Sequence, residues 1–214
     1  MKKVWFFDLD GTLADTDSDI RLAWKAAIDD LSLSCPEFDS KFVAGPPIDE
    51  MAKILFPDIY TPELADKIRA NFARHYDNDG FPTTKEYPGV LDVVRSLKNA
   101  GAKVYIATNK RYEGAMKMAS KFGWDRVFDG IFAGDMYHDD PSVGKMKKDA
   151  LLKFLLVKLG VSGDDCVMVG DTCNDFDAAK ANFMESVGVK WGYGVPGDSP
   201  TRWAERPQDI FKTP

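Results

Sequence analysis

Val4-Trp5-Phe6-Phe7-Asp8-Leu9-Asp10-Gly11-Thr12 decides the fold: four apolar residues without alternation, two carboxylates two positions apart, then glycine and threonine. An unalternated apolar run of this length suits a strand buried on both faces, as in a parallel sheet covered by helices. Asp8 and Asp10 then lie where that strand leaves the sheet, at the edge where open α/β sheets bind ligands. Residues two apart along a strand point to the same side, so the two acids repel unless a proton or a cation intervenes. In such a pair one carboxylate can attack while the other, protonated, donates to a leaving group. Gly11 permits a sharp turn that aims backbone N–H groups at an anion.

Further short apolar runs follow at Val104 to Ala107, Ile131 to Ala133, Val167 to Val169 and Val187 to Val189. Helical patterns lie between them. Gly89 to Ala100 carries an apolar face of Val90, Leu91, Val93, Val94 and Leu97 before Gly101, and Lys148 to Leu159 reads the same way up to Gly160. This alternation predicts a doubly wound, Rossmann-like α/β core with a parallel sheet. Residues 16 to 84 carry no convincing strand. Ile20, Ala23, Trp24, Ala27, Ile28 and Leu31 repeat at helical spacing, as do Leu64, Ile68, Phe72 and Tyr76, with Gly45-Pro46-Pro47 as a break between them. The expectation is a core built from residues 1–15 and 85–214, and a helical cap at 16–84 inserted after the first strand, a candidate lid. From Gly194 onward the chain reads as loop with one short closing element near Trp203.

The second acidic motif, Gly170-Asp171-Thr172-Cys173-Asn174-Asp175, also follows an apolar strand directly. Carboxylates from two strand ends then converge on one crevice, an oxygen-rich site suited to Mg²⁺ with water and phosphate. A helix N-cap with Asp175 in the first turn is compatible with the same residues. The strand Val104 to Ala107 brings Thr108-Asn109-Lys110 to that edge, offering a hydroxyl and amides to phosphate oxygens. A dianionic phosphate approaching a carboxylate also needs a cationic side chain. Lys145, Lys147 and Lys148 precede the last motif and are the candidates.

A net charge of -6, with 29% charged and 44% apolar residues, describes an ordinary globular chain. Scattered Lys and Arg give no footprint for nucleic acid or an anionic membrane. The apolar run after Lys2-Lys3 stops at Asp8 without a cleavage site, and no stretch approaches the ~18 apolar residues of a membrane span, so a cytoplasmic protein is expected. Three cysteines, Cys35, Cys166 and Cys173, form no CxxC pair and argue against a disulfide framework. Cys173 reads as a small packing residue. His75 and His138 lack a ligand partner at helical spacing, which argues against zinc and histidine-based catalysis.

Taken in order, DLDGT, the Thr108-Asn109 strand end, a lysine ahead of a helix and GDTxxD resemble the haloacid dehalogenase superfamily of phosphohydrolases, over the whole chain. The inserted helices are similar to that family's C1-type cap, and Gly45-Pro46-Pro47 together with Thr-Asn-Lys resembles its phosphoglycolate phosphatase-like branch. The resemblance implies Asp8 as nucleophile, Asp10 as general acid and then base, and Thr108 holding the phosphoryl group with Thr12 and Asn109. It implies Mg²⁺ on Asp8, the backbone carbonyl of Asp10 and Asp171, with Asp175 either as an additional ligand or as a residue that supports the ligands from behind. For the lysine the choice is Lys147, because Lys147-Lys148-Asp149 leads into a helix; the family's common Lys-Pro version is absent here. An acid at Asp10 favours phosphoryl transfer over dehalogenation. The implied activity is Mg²⁺-dependent hydrolysis of a small phosphate monoester such as 2-phosphoglycolate, a small phosphorylated metabolite being the partner.

The core motifs do not separate hydrolysis from a β-phosphoglucomutase-like mutase acting on a sugar phosphate. A receiver-type signalling domain also groups acids, Mg²⁺, Thr and Lys, but it is shorter, lacks the helical insertion and carries adjacent acids rather than DxD. In the cap, Lys41, Lys53 and Arg74 are cations within reach of a substrate carboxylate, though surface lysines and arginines read first as solvated. The oligomeric state is not readable from the sequence.

Overall fold

A computed structural model describes residues 2–78, 80–137, 144–194, 197 and 199–211. His138 lies outside the described residues. In chain order the elements are β1 (Val4–Phe7), β2 (Ala14–Asp15), α1 (Asp17–Asp30), α2 (Phe38–Lys41), α3 (Ile48–Leu55), α4 (Pro62–Asn78), β3 (Lys85–Glu86), α5 (Val90–Asn99), β4 (Lys103–Thr108) and α6 (Tyr112–Phe122). They continue with β5 (Gly130–Ala133), α7 (Lys148–Leu159), β6 (Cys166–Gly170), α8 (Cys173–Ala181), β7 (Glu185–Val189) and β8 (Arg202–Ala204). Two compact units divide the chain, Met1–Asp15 with Lys85–Pro214, and Thr16–Thr84.

The first unit is built on a six-stranded sheet in the order β5-β4-β1-β6-β7-β8, with every neighbouring pair parallel. All residues of β1 and β6 are buried, which is why these strands show no polar alternation. One face packs Val4, Phe6, Tyr105, Ala107, Cys166 and Met168 against Leu151, Leu152 and Leu155 of α7 and Ala178 and Ala179 of α8. The alternate residues Trp5, Phe7, Val104 and Ile106 are buried as well, and α5 covers β4 with Val93, Val94 and Leu97 inside. Winding reverses at β1: the chain moves outward to β4 and β5, then crosses to β6 on the other side. Phe7 pairs with Ile106 on one flank and Val169 on the other. The residues that leave these three strands therefore emerge at one sheet edge, beside the reversal where α/β ligands bind.

The second unit is helical. α1 packs on α4, burying Ala23, Trp24, Ala27 and Ile28 against Ala65, Ile68 and Tyr76. Trp24 is 5.7 Å from Phe42 and 6.1 Å from Phe72, ring centre to ring centre, so aromatic packing joins the helices to the loop between them. The sequence reading picks out α1 and α4; the structure adds α2 and α3. Gly45-Pro46-Pro47 stops one helix but also starts another, since Pro47 directly precedes α3 and proline suits a helix entrance. Among the described residues no helix is long and apolar enough to cross a membrane.

At the base of this unit Asp19 is buried and accepts from Thr83 Oγ1 at 2.5 Å, Thr84 Oγ1 at 2.6 Å and Thr84 N at 2.8 Å. Burial raises its carboxyl, but the Thr83 and Thr84 donors outweigh that and hold it below the usual carboxylate range. Its contribution to stability is therefore present above the ordinary aspartate range and lost as pH falls through its folded value. Replacement by Ala leaves two amides and two hydroxyls without their acceptor. The Asp19→Ala protein is expected to lose about 2–4 kcal/mol in urea denaturation, the helical unit opening first.

Candidate active site

The carboxylates of Asp8, Asp171 and Asp175 each place an oxygen within 4.8 Å of the others. Asp8 follows β1, Asp171 follows β6, and Asp175 sits in the first turn of α8. Thr172, at the N-cap, donates from N and from Oγ1 to Asp175 Oδ2, each at 3.3 Å, so the helix entrance fixes that acid in place.

Lys148 holds the group together. Its Nζ donates to Asp175 Oδ1 at 2.8 Å and to the main-chain oxygen of Ala107 at 3.1 Å. It also lies 2.8 Å from Asp8 Oδ1, with its side chain only 3% exposed. That last approach is a buried ion pair in which Lys148 supports the ionised form of Asp8. Burial pulls the Lys148 ammonium down, but Asp175 and Asp8 overcome this and hold it above the ordinary lysine range. Burial likewise pushes Asp8 up to about 6, with Lys148 opposing and Asp175 and Asp10 adding to the rise. Asp171 is pushed up to about 8 by burial, then by Asp175 and Asp8.

This corrects the choice among the three lysines. Lys147 is exposed at the N-cap of α7, Lys145 is exposed too, and Lys148 is the one turned inward. Lys148, Leu151, Leu152 and Leu155 recur at i, i+3, i+4 and i+7, so the lysine belongs to the buried stripe of its helix. That spacing is visible in the sequence and identifies Lys148.

Thr12 is also placed differently from expectation. It is fully buried and donates its hydroxyl to Asp171 Oδ1 at 3.2 Å, which puts it behind the acids rather than facing a ligand. The other oxygen of Asp171 accepts from the Tyr193 amide at 2.8 Å. Trp191-Gly192-Tyr193, after β7, is absent from the sequence reading. Trp191 Nε1 donates to the Thr12 carbonyl at 3.2 Å, and the segment packs so closely that a Cβ on Gly192 would lie 2.3 Å from Asp171 Cβ. Gly11 meets the same carboxylate from the other side, at φ 74°, where an added Cβ would sit 2.1 Å from Asp171 Oδ2. Two glycines thus make room for one acid.

Thr108 and Asn109 end β4 at the same edge, Thr108 buried and Asn109 exposed. Thr108 Oγ1 accepts from the Lys110 amide at 3.1 Å, which leaves its own hydrogen to donate elsewhere. The Asp10 carboxylate lies apart from the three-acid cluster and meets Lys110 Nζ at 3.0 Å. Cys173 is exposed at the first position of α8, so it is no packing residue. Cys35, Cys166 and Cys173 form no disulfide. In the helical unit Lys41 pairs with Glu37 at 2.6 Å, Arg74 pairs with Asp30, and Lys53 lies 5.2 Å from the Tyr60 ring centre.

The donor set fits a hard divalent cation. Among the described residues four carboxylates, Asp8, Asp10, Asp171 and Asp175, stand with two ammonium groups, Lys148 and Lys110, a formal excess of two negative charges. Oxygen-only donors and two acids raised first by burial and then by neighbouring carboxylates are what Mg²⁺ satisfies.

Residues 2–182 match the family model described as haloacid dehalogenase-like hydrolase. The phosphoglycolate phosphatase of Aquifex aeolicus is 30% identical over 213 residues, spanning 98% of this chain and 95% of its own. That of Colwellia psychrerythraea is 31% identical over 207 residues, spanning 92% and 88%. A solved structure, a predicted phosphatase from Clostridium acetobutylicum, superposes with a TM-score of 0.85 at 23% identity, over 98% of this chain and 96% of that one.

Two outcomes follow from the geometry. Lys148→Ala leaves buried carboxylates without their cation and is expected to destabilise by about 3 kcal/mol or more, whereas Lys147→Ala stays within about 0.5 kcal/mol in the same denaturation assay. Asp8 and Asp171 bind protons more tightly folded than unfolded, so the metal-free protein loses stability as pH rises from the ordinary aspartate range through about 6 and about 8. Thermal melts in EDTA should show the melting temperature falling over that window, and Mg²⁺ should raise it more at the alkaline end than at the acid end.

Proposed function

The chain belongs to the haloacid dehalogenase-like hydrolases as a phosphatase of that family, and we propose that it hydrolyses a small phosphate monoester through a phosphoryl group carried on Asp8. The observation that supports this most is the setting of Asp8: it leaves β1 beside Asp171 and Asp175 in a buried crevice, with Lys148 Nζ 2.8 Å from its Oδ1 to balance its charge. A buried carboxylate kept in charge balance by an ammonium group is prepared to act as a nucleophile.

In this proposal Asp8 attacks phosphorus as the ester P–O bond breaks, and Asp10 gives its proton to the leaving oxygen. Asp10 then takes a proton from the water that attacks phosphoaspartate, releasing phosphate and restoring Asp8. Thr108 donates its hydroxyl to a phosphoryl oxygen, with its own oxygen fixed by the Lys110 amide. Lys148 offsets the charge of Asp8 and the phosphoryl group together. Asp8, Asp171 and Asp175, with the Asp10 carbonyl, are the groups that would hold Mg²⁺, which when bound supplies the positive charge this acidic crevice lacks.

For the substrate, 2-phosphoglycolate is the first candidate, since the two relatives at 30% and 31% identity are phosphoglycolate phosphatases that match this chain nearly end to end. With Mg²⁺ and a panel of phosphorylated metabolites, free phosphate is expected, with the highest kcat/KM on a small monoester. Isomerised sugar phosphate without phosphate release would instead establish the mutase. EDTA should abolish turnover and Mg²⁺ restore it, and Asp8→Asn should lower kcat by at least about 10³-fold while the fold is retained by circular dichroism.

A further inference from the structure

Lys110 stands two residues past Thr108, on the loop that leaves β4. Its side chain is 5% exposed, although the residue belongs to a surface loop. Nζ reaches both oxygens of Asp10, at 3.0 Å and 3.4 Å. The loop itself is pinned at both ends: the Lys110 amide donates to Thr108 Oγ1 at 3.1 Å, and the Tyr112 amide donates to Asp135 Oδ1 at 2.8 Å. A flexible side chain is thereby launched from a fixed backbone, and its ordering cost falls mainly on the alkyl stem.

We infer that Lys110 is a positioning residue that holds the Asp10 carboxylate in the orientation from which it exchanges protons with the leaving group. The inference rests on the phosphatase reading above, in which Asp10 is the acid. Asp10 stands outside the cluster of Asp8, Asp171 and Asp175, and it meets Lys110 rather than Lys148. Proton transfer requires reach to within about 2.6–3.2 Å of the receiving oxygen, and an ammonium group 3.0 Å and 3.4 Å from the two oxygens restricts how far the carboxylate turns. Lys148 and Lys110 thus have separate charges to serve. The first balances the Asp8 side of the crevice, the second the Asp10 side.

The test compares leaving groups in single-turnover experiments, which isolate the first half-reaction. p-Nitrophenyl phosphate releases a stable anion and needs little protonation; benzyl phosphate releases an alkoxide that must be protonated. In Lys110→Met, release of benzyl alcohol is expected to slow by about tenfold or more beyond any slowing of p-nitrophenol release, with Lys110→Arg recovering part of the loss. Asp10→Asn, run in parallel, should show the same selectivity more strongly. Equal slowing of both leaving groups in Lys110→Met, or a raised KM at unchanged kcat, would overturn the inference and make Lys110 a structural or phosphate-binding group. If Asp10→Asn itself shows no dependence on the leaving group, the acid assignment fails rather than the role of Lys110. Melting curves of both Lys110 variants show whether each is folded, and Lys110→Arg keeps the comparison available should Lys110→Met not fold.

Discussion

A single buried ammonium group organises the crevice. Lys148 enters from the first turn of α7 and meets Asp8 at the end of β1, the Ala107 carbonyl of adjacent β4, and Asp175 in the first turn of α8, the helix that follows β6. Without it the buried carboxylates of Asp8 and Asp175 would lose the cation they share. The parallel sheet supplies the strand ends, the apolar stripe of α7 delivers the lysine, and the capping pattern of α8 holds Asp175 still. Each of these is an ordinary structural feature. Their intersection at one nitrogen is what makes the site.

The crevice divides its charges between two sides. Asp8, Asp171 and Asp175 gather around Lys148, and Asp10 meets Lys110, so the two acids of the first motif do not share a cation although they are two residues apart. Gly11 and Gly192 together let the backbone close on Asp171. The carboxyls of Asp8 and Asp171 are raised first by burial and then by neighbouring acids, which marks where negative charge is costly for the protein alone. The proposed Mg²⁺ would occupy that place, and its binding would then be coupled to proton release and to stability.

Much of this was legible in the sequence because the relevant signals are local. Unalternated apolar runs located β1, β4, β5, β6 and β7, and an acid directly after a strand marked the functional edge. The helix Lys148–Leu159 was legible to the residue. Adjacency to the helix start points to Lys147, but helical phase decides which lysine turns inward, and it places Lys148 on the stripe of Leu151, Leu152 and Leu155. The place of Thr12 was not legible, since nothing in DLDGT tells whether a hydroxyl faces a ligand or a neighbouring acid 159 positions away. The contacts of Lys110 and of Trp191-Gly192-Tyr193 are likewise tertiary, set by loop paths that no period encodes. α3 was hidden by a Gly-Pro-Pro sequence that reads as a break and serves as an entrance.

The central claim, that a phosphoryl group is carried on Asp8, is open to direct chemical capture. Rapid acid quench of the Mg²⁺-loaded wild-type protein turning over p-nitrophenyl phosphate, followed by borohydride reduction and peptide mapping, converts an acyl phosphate into a residue of reduced mass at its own position. The expected result is homoserine at position 8, formed only when both Mg²⁺ and the phosphate ester are present. p-Nitrophenol released in the same quench with position 8 unchanged, or with the reduced residue elsewhere, would contradict it.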